Sequence, residues 1–144
     1  MDDKPAPREQ FGARDKTLPF KGPEAIDAGC LECFEYEYAG KPVGQDIRVV
    51  TTTNEFTSVC PFSGLPDFAE VTIAYTPRNK CVELRSLKYY LMSYRDVGIW
   101  YEHLVNRMLD DLVKAIEPKS MEIEVKANPR GGLSSTVSAK YAAE

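Results

Sequence analysis

The sequence has little of what several common protein chemistries require. It contains one histidine, His103, and four cysteines, of which only Cys30 and Cys33 form a C-x-x-C pair. A four-ligand zinc site usually needs a second such pair or more histidines. No βαβ pattern surrounds the pair, as a thioredoxin-like redox motif would require. We therefore interpret Cys30 and Cys33 as incidental thiols on an edge segment.

An excess of positive charge and a long apolar run are also missing. The formal net charge is −4, which argues against a general affinity for the nucleic-acid backbone. No apolar run approaches the roughly 20 residues of a membrane helix. The first residues, MDDKPAPREQFGARDKTLPF, lack the apolar core of a secretory signal. We expect a cytoplasmic protein with reduced cysteines that binds neither nucleic acid nor a membrane.

The length of 144 residues suits about one domain. Residues 1–28 are rich in proline, glycine and charge, and they predict an irregular N-terminal arm. Residues 29–144 then form a single domain, without an internal repeat or a low-complexity segment.

The hydrophobic periodicity changes along the domain. Period-2 alternation or β-branched residues predict strands in CLECFEYEYAG (30–40), QDIRVVTTTNEF (45–56), DFAEVTIAYT (67–76), SMEIEVKA (120–127) and, more weakly, GGLSSTVSAKYAAE (131–144). Helical spacing predicts a first helix with Ser86 as its N-cap and with Leu87, Tyr90, Leu91 and Tyr94 on one face. It predicts a second helix that ends at Pro118, with Trp100, Leu104, Met108, Leu112 and Ile116 on one face.

The order strand, strand, helix, helix, strand, strand indicates an α+β fold with a four-stranded antiparallel sheet backed by both helices. Such a sheet has two exposed edges, and closure of several subunits into a barrel would remove them.

Cys60 is the residue with the clearest chemical potential. It lies in FTSVCPFSGLPDF (56–68), after a predicted strand and before a Pro/Gly-rich turn. A reactive thiol needs a neighbouring group that takes its proton, and the candidates are Glu55, Asp67, Glu102 and His103. Asp67 heads the next strand, so the turn could bring its carboxyl near the Cys60 sulfur. A small buried thiol with no chemistry is the commoner outcome for such a pattern. Spacing alone leaves both interpretations open.

Three cations and one carboxylate suggest further contacts. Arg85 and Lys88 lie near a helix start, and Arg130 lies beside two glycines, so each suits a phosphate. Glu102 and His103 are adjacent on a helix and diverge by about 100°, so they do not both face one small site. No G-x-G-x-x-G motif is present, so any dinucleotide is not bound in Rossmann fashion.

Four segments in this order resemble a known family: EFTSVCP-x-SGLPDFA, VELRSLKYYLMSYR, WYEHLVNRMLDDL and NPRGG. They are similar to the NADPH-dependent 7-cyano-7-deazaguanine reductases, the nitrile reductases of tRNA queuosine biosynthesis. ELRSLKYY matches the signature that separates this family from type I GTP cyclohydrolases. The resemblance covers about residues 30–140. It implies the tunnelling fold, ββααββ, with sheets joined between subunits into a barrel and active sites at the subunit boundaries.

The resemblance also implies a role for individual residues. Cys60 would attack the nitrile carbon to give a covalent thioimide, and Asp67 would be the proton donor. Residues implied for binding the deazaguanine substrate are Val82, Glu83, Leu84, Tyr101 and Glu102. Residues implied for NADPH are Arg85, Lys88 and Arg130. The chain departs from the family pattern at Tyr101, where a histidine is usual, and at Arg85, where a lysine is usual.

Two alternatives share this fold. A pterin-forming enzyme like GTP cyclohydrolase would want a zinc ligand set that one histidine hardly supplies. A non-catalytic purine-binding oligomer would not need Cys60, Asp67 and Glu102 together.

Overall fold

The computed structural model describes residues 18–144, so the first seventeen residues of the predicted N-terminal arm lie outside it. In chain order the elements are β1 (Cys33–Glu35), β2 (Val49–Val59), β3 (Pro66–Thr76), β4 (Lys80–Val82), α1 (Leu84–Met92), α2 (Tyr101–Ile116), β5 (Ser120–Ala127) and β6 (Thr136–Ala142). No helix among the described residues has both the length and the apolar character needed to cross a membrane.

The main sheet contains four antiparallel strands in the order β2-β3-β5-β6. The predicted β2–β3 hairpin is confirmed, and its β-branched residues suit the pleated, half-buried surface of the sheet. The hairpin turn is closed by hydrogen bonds from the Cys60 N–H to the Leu65 carbonyl (2.9 Å) and from the Gly64 N–H to the Cys60 carbonyl (2.8 Å). Gly64 has a φ of +72°, a conformation that glycine adopts without steric cost.

Both helices cover the same face of this sheet, which confirms the predicted α+β arrangement. Residues of α1, α2 and the inward face of the strands belong to one buried apolar cluster. The α2 side chains in it are Leu104, Val105, Met108, Leu112 and Ile116. The prediction for Trp100 is wrong. It precedes the helix, at its N-cap position, and is 50% exposed, so it does not continue this buried face.

The N-terminus of α1 also differs from the prediction. The cap is Glu83, not Ser86: the Glu83 carboxylate accepts hydrogen bonds from the N–H groups of Arg85 (2.8 Å) and Ser86 (2.7 Å). Glu83 has extended backbone geometry, which is the geometry an N-cap needs. The Ser86 hydroxyl lies inside the first turn, where it accepts from the Glu32 N–H (2.9 Å). The Glu83 carboxylate therefore accepts from two N–H groups at the helix start near which Arg85 and Lys88 were predicted to suit a phosphate.

A second, small sheet pairs β1 with β4 in antiparallel register, with Cys33 opposite Val82 and Phe34 opposite Cys81. The predicted extended segment at 30–40 is thus a strand of three residues. β4 also has three residues, and a sequence pattern of that length is too short to predict a strand separately from the helix that follows. All four cysteines are free.

The described part of the predicted arm packs on the domain. It contains a single-turn 3-10 helix, Pro23–Ala25, and a second one, Ala28–Cys30, spans the predicted boundary with the domain. Ile26 is 6% exposed and belongs to the core. The Lys21 N–H donates to the Asp96 carbonyl (2.7 Å), and the Lys21 carbonyl accepts from the Gly98 N–H (2.9 Å). These bonds hold the segment that leads into α2.

Candidate active site

The β2–β3 hairpin brings Cys60 and Asp67 to one end of the sheet. Val59 and Pro66 are the last paired residues before the turn, and Ser58 lies opposite Asp67. Cys60 directly follows β2, and Asp67 is the second residue of β3. The backbone of Val59 also bonds to that of Val97 (2.9 Å) and Ile99 (3.2 Å), which places the start of α2 beside the same turn.

A cavity of about 390 Å³ opens at this junction. Its lining residues come from the hairpin, from the start of α2 and from the β5–β6 loop: Cys60, Phe62, Ser63, Asp67, Ile99, Trp100, Tyr101, Glu102 and Arg130. Five residues that the sequence singled out are therefore brought together, from parts of the chain up to 70 positions apart.

The surroundings of Cys60 favour its thiolate. Partial burial and, to a smaller extent, the negative charge of Asp67 act to raise the pKa of the thiol, but interactions with the Ser63 hydroxyl and with the backbone of Ser63 and Phe62 outweigh them. The net effect is a pKa below the ordinary value of a cysteine. The donors lie within the turn that follows Cys60, so this turn itself makes the thiol easier to deprotonate.

Asp67 is 6% exposed and forms an ion pair with Arg130. The Arg130 Nη1 group donates to Asp67 Oδ1 at 2.5 Å, and this bond raises the pKa of the guanidinium above its ordinary value. Arg130 is held by a tight turn in which Gly131 and Gly132 have φ values of +58° and +80°. Arg130 thus lies in the Cys60 cavity and apart from Arg85 and Lys88, the other two cations predicted to bind NADPH.

Two buried hydroxyls near Asp67 lack a hydrogen-bond partner among the described residues: Ser58 Oγ and Tyr101 Oη. Burial, followed by the negative charge of Asp67, raises the pKa of Tyr101 to about 12, so its hydroxyl stays protonated near neutral pH. Ser58 was missed as a candidate. The signal for it was available, since the hairpin register predicts that Ser58 faces the same side as Asp67.

The start of α2 gives this cavity a carboxylate and an aromatic ring. Glu102 lines it, whereas the exposed His103 does not, which confirms that the two side chains diverge. Phe62 and Trp100 also line it, with 89% and 50% of their surfaces exposed. We did not single out Phe62 from the sequence, because one apolar residue in a turn carries no pattern.

The remaining predicted residues lie elsewhere in the chain. Val82 is 4% exposed, and its N–H donates to the Tyr75 hydroxyl (3.1 Å), while Glu83 caps α1. Leu84 and Lys88 line a second cavity of about 250 Å³ between β2 and α1. Arg85 and Lys88 are exposed, and Lys88 Nζ lies 3.8 Å from Glu55 Oε2. Within one chain, none of these residues lines the Cys60 cavity.

No three His, Cys, Asp or Glu side chains in residues 18–144 lie together as a metal-binding group. Exposed cations suited to a nucleotide cofactor are Arg85 and Lys88, which belong to the first turns of α1. Because Glu83 occupies the N–H groups there, a phosphate would be held by these side chains rather than by the helix N-terminus.

Comparison with known proteins identifies the family. Residues 66–144 match the family model described as "QueF-like protein". The NADPH-dependent 7-cyano-7-deazaguanine reductase of Thermoanaerobacter pseudethanolicus is 54% identical over 91% of this chain and 96% of its own. The enzyme of the same name from Caldicellulosiruptor bescii is 55% identical over 83% of this chain and 88% of its own.

A solved structure supports the same assignment. The apo crystal structure of an archaeosine synthase, QueF-Like, superposes with a TM-score of 0.61 and 28% identity, over 69% of this chain and 96% of that one. The resemblance found in the sequence motifs is thereby confirmed. The chain belongs to the QueF-like family of NADPH-dependent 7-cyano-7-deazaguanine reductases.

Proposed function

We propose that this protein reduces the nitrile of 7-cyano-7-deazaguanine to the aminomethyl group of 7-aminomethyl-7-deazaguanine, with NADPH, in queuosine biosynthesis. The observation that carries the proposal is a cysteine with a lowered thiol pKa in one cavity with a buried aspartate. Relatives that share about half of their residues with nearly the whole chain carry this activity in their names.

Cys60 and Asp67 divide the chemistry between them. The Cys60 sulfur attacks the nitrile carbon and forms a thioimide, and Asp67 delivers a proton to the nitrile-derived nitrogen. NADPH, when bound, supplies the hydrides, two for each product formed. The covalent bond to Cys60 holds the half-reduced carbon in the cavity between the two reductions.

The other cavity residues bind the ring. The Glu102 carboxylate accepts hydrogen bonds from the ring N–H and amino groups of a guanine-like edge. The Tyr101 hydroxyl, buried and without a partner among the described residues, is available to the substrate. The rings of Phe62 and Trp100 give apolar walls that suit a flat heterocycle.

A neighbouring subunit completes the site in this proposal. Val82, Glu83 and Leu84 would reach the substrate, and Arg85 and Lys88 the NADPH phosphates, from a second copy of the chain. In support, none of the five lines the Cys60 cavity of its own chain, and β2 and β6 are edge strands of the main sheet. Pairing of such edges between copies would give the tunnelling-fold barrel and remove both exposed edges.

The proposal places the protein in the cytoplasm, with a small-molecule substrate and no direct contact to nucleic acid or membrane. The net charge of −4 supports a small-molecule substrate over a nucleic acid. Membership of the reductase family argues against the alternative of a GTP cyclohydrolase-like enzyme. The experiment below distinguishes a reductase from a non-catalytic purine-binding oligomer.

The test is incubation of the protein with 7-cyano-7-deazaguanine in the absence of NADPH. We expect a new thioimide absorbance and a mass increment equal to the substrate, both lost in Cys60→Ala. Cys33→Ala, which removes an exposed thiol outside the cavity, is the matched control and should keep both signals. Addition of NADPH should then consume two molecules per product. An adduct that persists in Cys60→Ala contradicts the mechanism, and absence of any adduct favours the non-catalytic alternative.

A further inference from the structure

We propose that Arg130 is a positioning residue for Asp67, which it holds as a carboxylate facing Cys60, rather than a ligand of an NADPH phosphate. The inference rests on the function proposed above. It deepens that function by giving Asp67 a task before it donates a proton.

The contacts of Arg130 carry the inference. Its guanidinium donates to Asp67 Oδ1 at 2.5 Å, and the two residues are 63 positions apart, so the tertiary fold brings them together. The Asp67 side chain is 7% exposed and that of Arg130 is 44% exposed, so the cation reaches inward from the rim. Arg130 shares no cavity with Arg85 or Lys88.

The backbone around Arg130 fixes this geometry. Reciprocal bonds join the Arg130 N–H to the Leu133 carbonyl (2.8 Å) and the Leu133 N–H to the Arg130 carbonyl (3.0 Å). Gly131 and Gly132 supply the positive φ values of the turn. The Asn128 N–H donates to the carbonyl of Phe68, the residue after Asp67, at 2.9 Å. The loop is therefore tied to the strand that carries the aspartate.

The groups that surround Asp67 differ in charge. Cys60 lies in the turn before its strand, Tyr101 and Glu102 begin α2, and Arg130 comes from the β5–β6 loop. Opposite Asp67 on β2 lies the buried Ser58 hydroxyl. Arg130 is the only cation that lines this cavity within the described residues, and Ser58 and Tyr101 are neutral donors. Arg130 therefore supplies the positive charge beside the Asp67 carboxylate, in a cavity whose other ionisable groups are the acidic Cys60 and Glu102 and the neutral Tyr101.

Because Asp67 is a carboxylate before the reaction starts, it can accept a proton in the first step. Asp67 takes the proton of the Cys60 thiol while the sulfur electron pair forms the S–C bond to the nitrile. One π pair of the nitrile moves to nitrogen, which then receives the same proton from Asp67. The thiol hydrogen ends on the thioimide nitrogen, and Asp67 returns to the carboxylate, so no outside reagent is needed.

The experiment measures the rate of thioimide formation without NADPH in the wild-type protein and in Arg130→Gln, Arg130→Lys and Arg78→Gln. Arg78 is an exposed arginine outside the Cys60 cavity and is the matched control for loss of a surface cation. Circular dichroism and thermal unfolding establish that each variant is folded.

We expect Arg130→Gln to slow adduct formation by on the order of tenfold, since general acid–base catalysis contributes about 10²-fold or more when the group is held correctly. Arg130→Lys should restore part of the rate, as it keeps the charge but loses the planar fork. Arg78→Gln should match the wild type.

A second measurement keeps the proposal falsifiable. In an Asp67→Asn background, Arg130→Gln should have no further effect on the slow residual rate, because Arg130 acts through Asp67. An Arg130→Gln variant with wild-type adduct formation and a raised KM for NADPH would overturn the proposal and restore the phosphate role. A wild-type protein that forms no adduct would instead defeat the function proposed above.

Discussion

Asp111 and Asp67 each accept a hydrogen bond from an arginine, yet the two pairs are built differently. Arg107 Nε donates to Asp111 Oδ2 at 2.8 Å, and both residues lie on α2, four positions apart. The Tyr90 hydroxyl donates to the same oxygen (2.6 Å) and lies 2.8 Å from the Tyr94 hydroxyl. Both tyrosine side chains are fully buried, so this network joins α1 to α2 with every hydroxyl bonded.

Around Asp67 the polar groups are not all bonded. Its arginine comes from a distant loop, and the hydroxyls of Ser58 and Tyr101 have no partner among the described residues. The cavity that contains the Cys60 thiol opens beside it. A buried ion pair alone thus does not indicate chemistry. Buried donors without a hydrogen-bond partner, next to an accessible nucleophile, do indicate a reactive site. Buried polar groups that serve only stability usually have a hydrogen-bond partner.

Neutralising each aspartate in turn tests whether the two pairs differ in function, and we expect the larger effect on catalysis. Asp67→Asn keeps the shape and an acceptor for Arg130 but removes the proton transfer. We expect turnover to fall by about 10²–10⁴-fold while the substrate still binds. Steady-state kinetics and equilibrium binding of 7-cyano-7-deazaguanine check this. Turnover at the wild-type rate would remove Asp67 from the mechanism.

The second prediction concerns the structural pair. Asp111→Ala leaves the Tyr90 hydroxyl and the Arg107 guanidinium without their shared acceptor, so we expect the free energy of unfolding to fall by roughly 1–3 kcal/mol. Turnover per folded molecule should stay at the wild-type value. Denaturant unfolding measures the first quantity. A stable variant with lost turnover would mean that the two pairs are functionally coupled.

Two tyrosine-to-phenylalanine substitutions test the difference between the two aspartate sites by removing one hydroxyl each. Tyr90→Phe removes a bonded hydroxyl and should cost about 1 kcal/mol of unfolding free energy. Tyr101→Phe removes an unbonded one and should leave stability within about 0.5 kcal/mol, while raising the KM of the deazaguanine severalfold. Tyr89→Phe, at an exposed position of α1, is the control for both. Equal losses of stability in all three variants would contradict this picture.

The smallest expected effect is at the cap of α1, outside both pairs. Hydrogen bonds from the Ser86 and Arg85 N–H groups lower the pKa of Glu83 below its ordinary value of 4.5. The carboxylate cap therefore stabilises the fold above that pH, and its contribution is lost as the pH falls through the lowered pKa. Glu83→Gln should lower the thermal midpoint slightly at neutral pH, and the difference from wild type should shrink in acid. Glu70→Gln, on the exposed face of β3, is the control. A difference that grows in acid would contradict the assignment.

Local pattern was enough to predict the long elements of this chain. The alternation of Met121, Ile123 and Val125 and the helical spacing of Leu104, Met108 and Leu112 predict strand and helix, and both sets are buried as expected. The helix starts were harder, because capping depends on which nearby group has extended backbone and a free acceptor. Glu83 rather than Ser86 met both conditions.

Periodicity and turn residues were enough to predict the order of the long elements and the hairpin that brings Cys60 near Asp67, and the motifs indicated the family. These are local or recurrent features, set by periodicity, turn chemistry and residue spacing. The packing of distant segments brings Arg130 to Asp67 and leaves the Ser58 and Tyr101 hydroxyls without a partner among residues 18–144. It also separates Arg85 and Lys88 from the Cys60 cavity. Those relations depend on how distant segments pack, and no spacing along the chain encodes them.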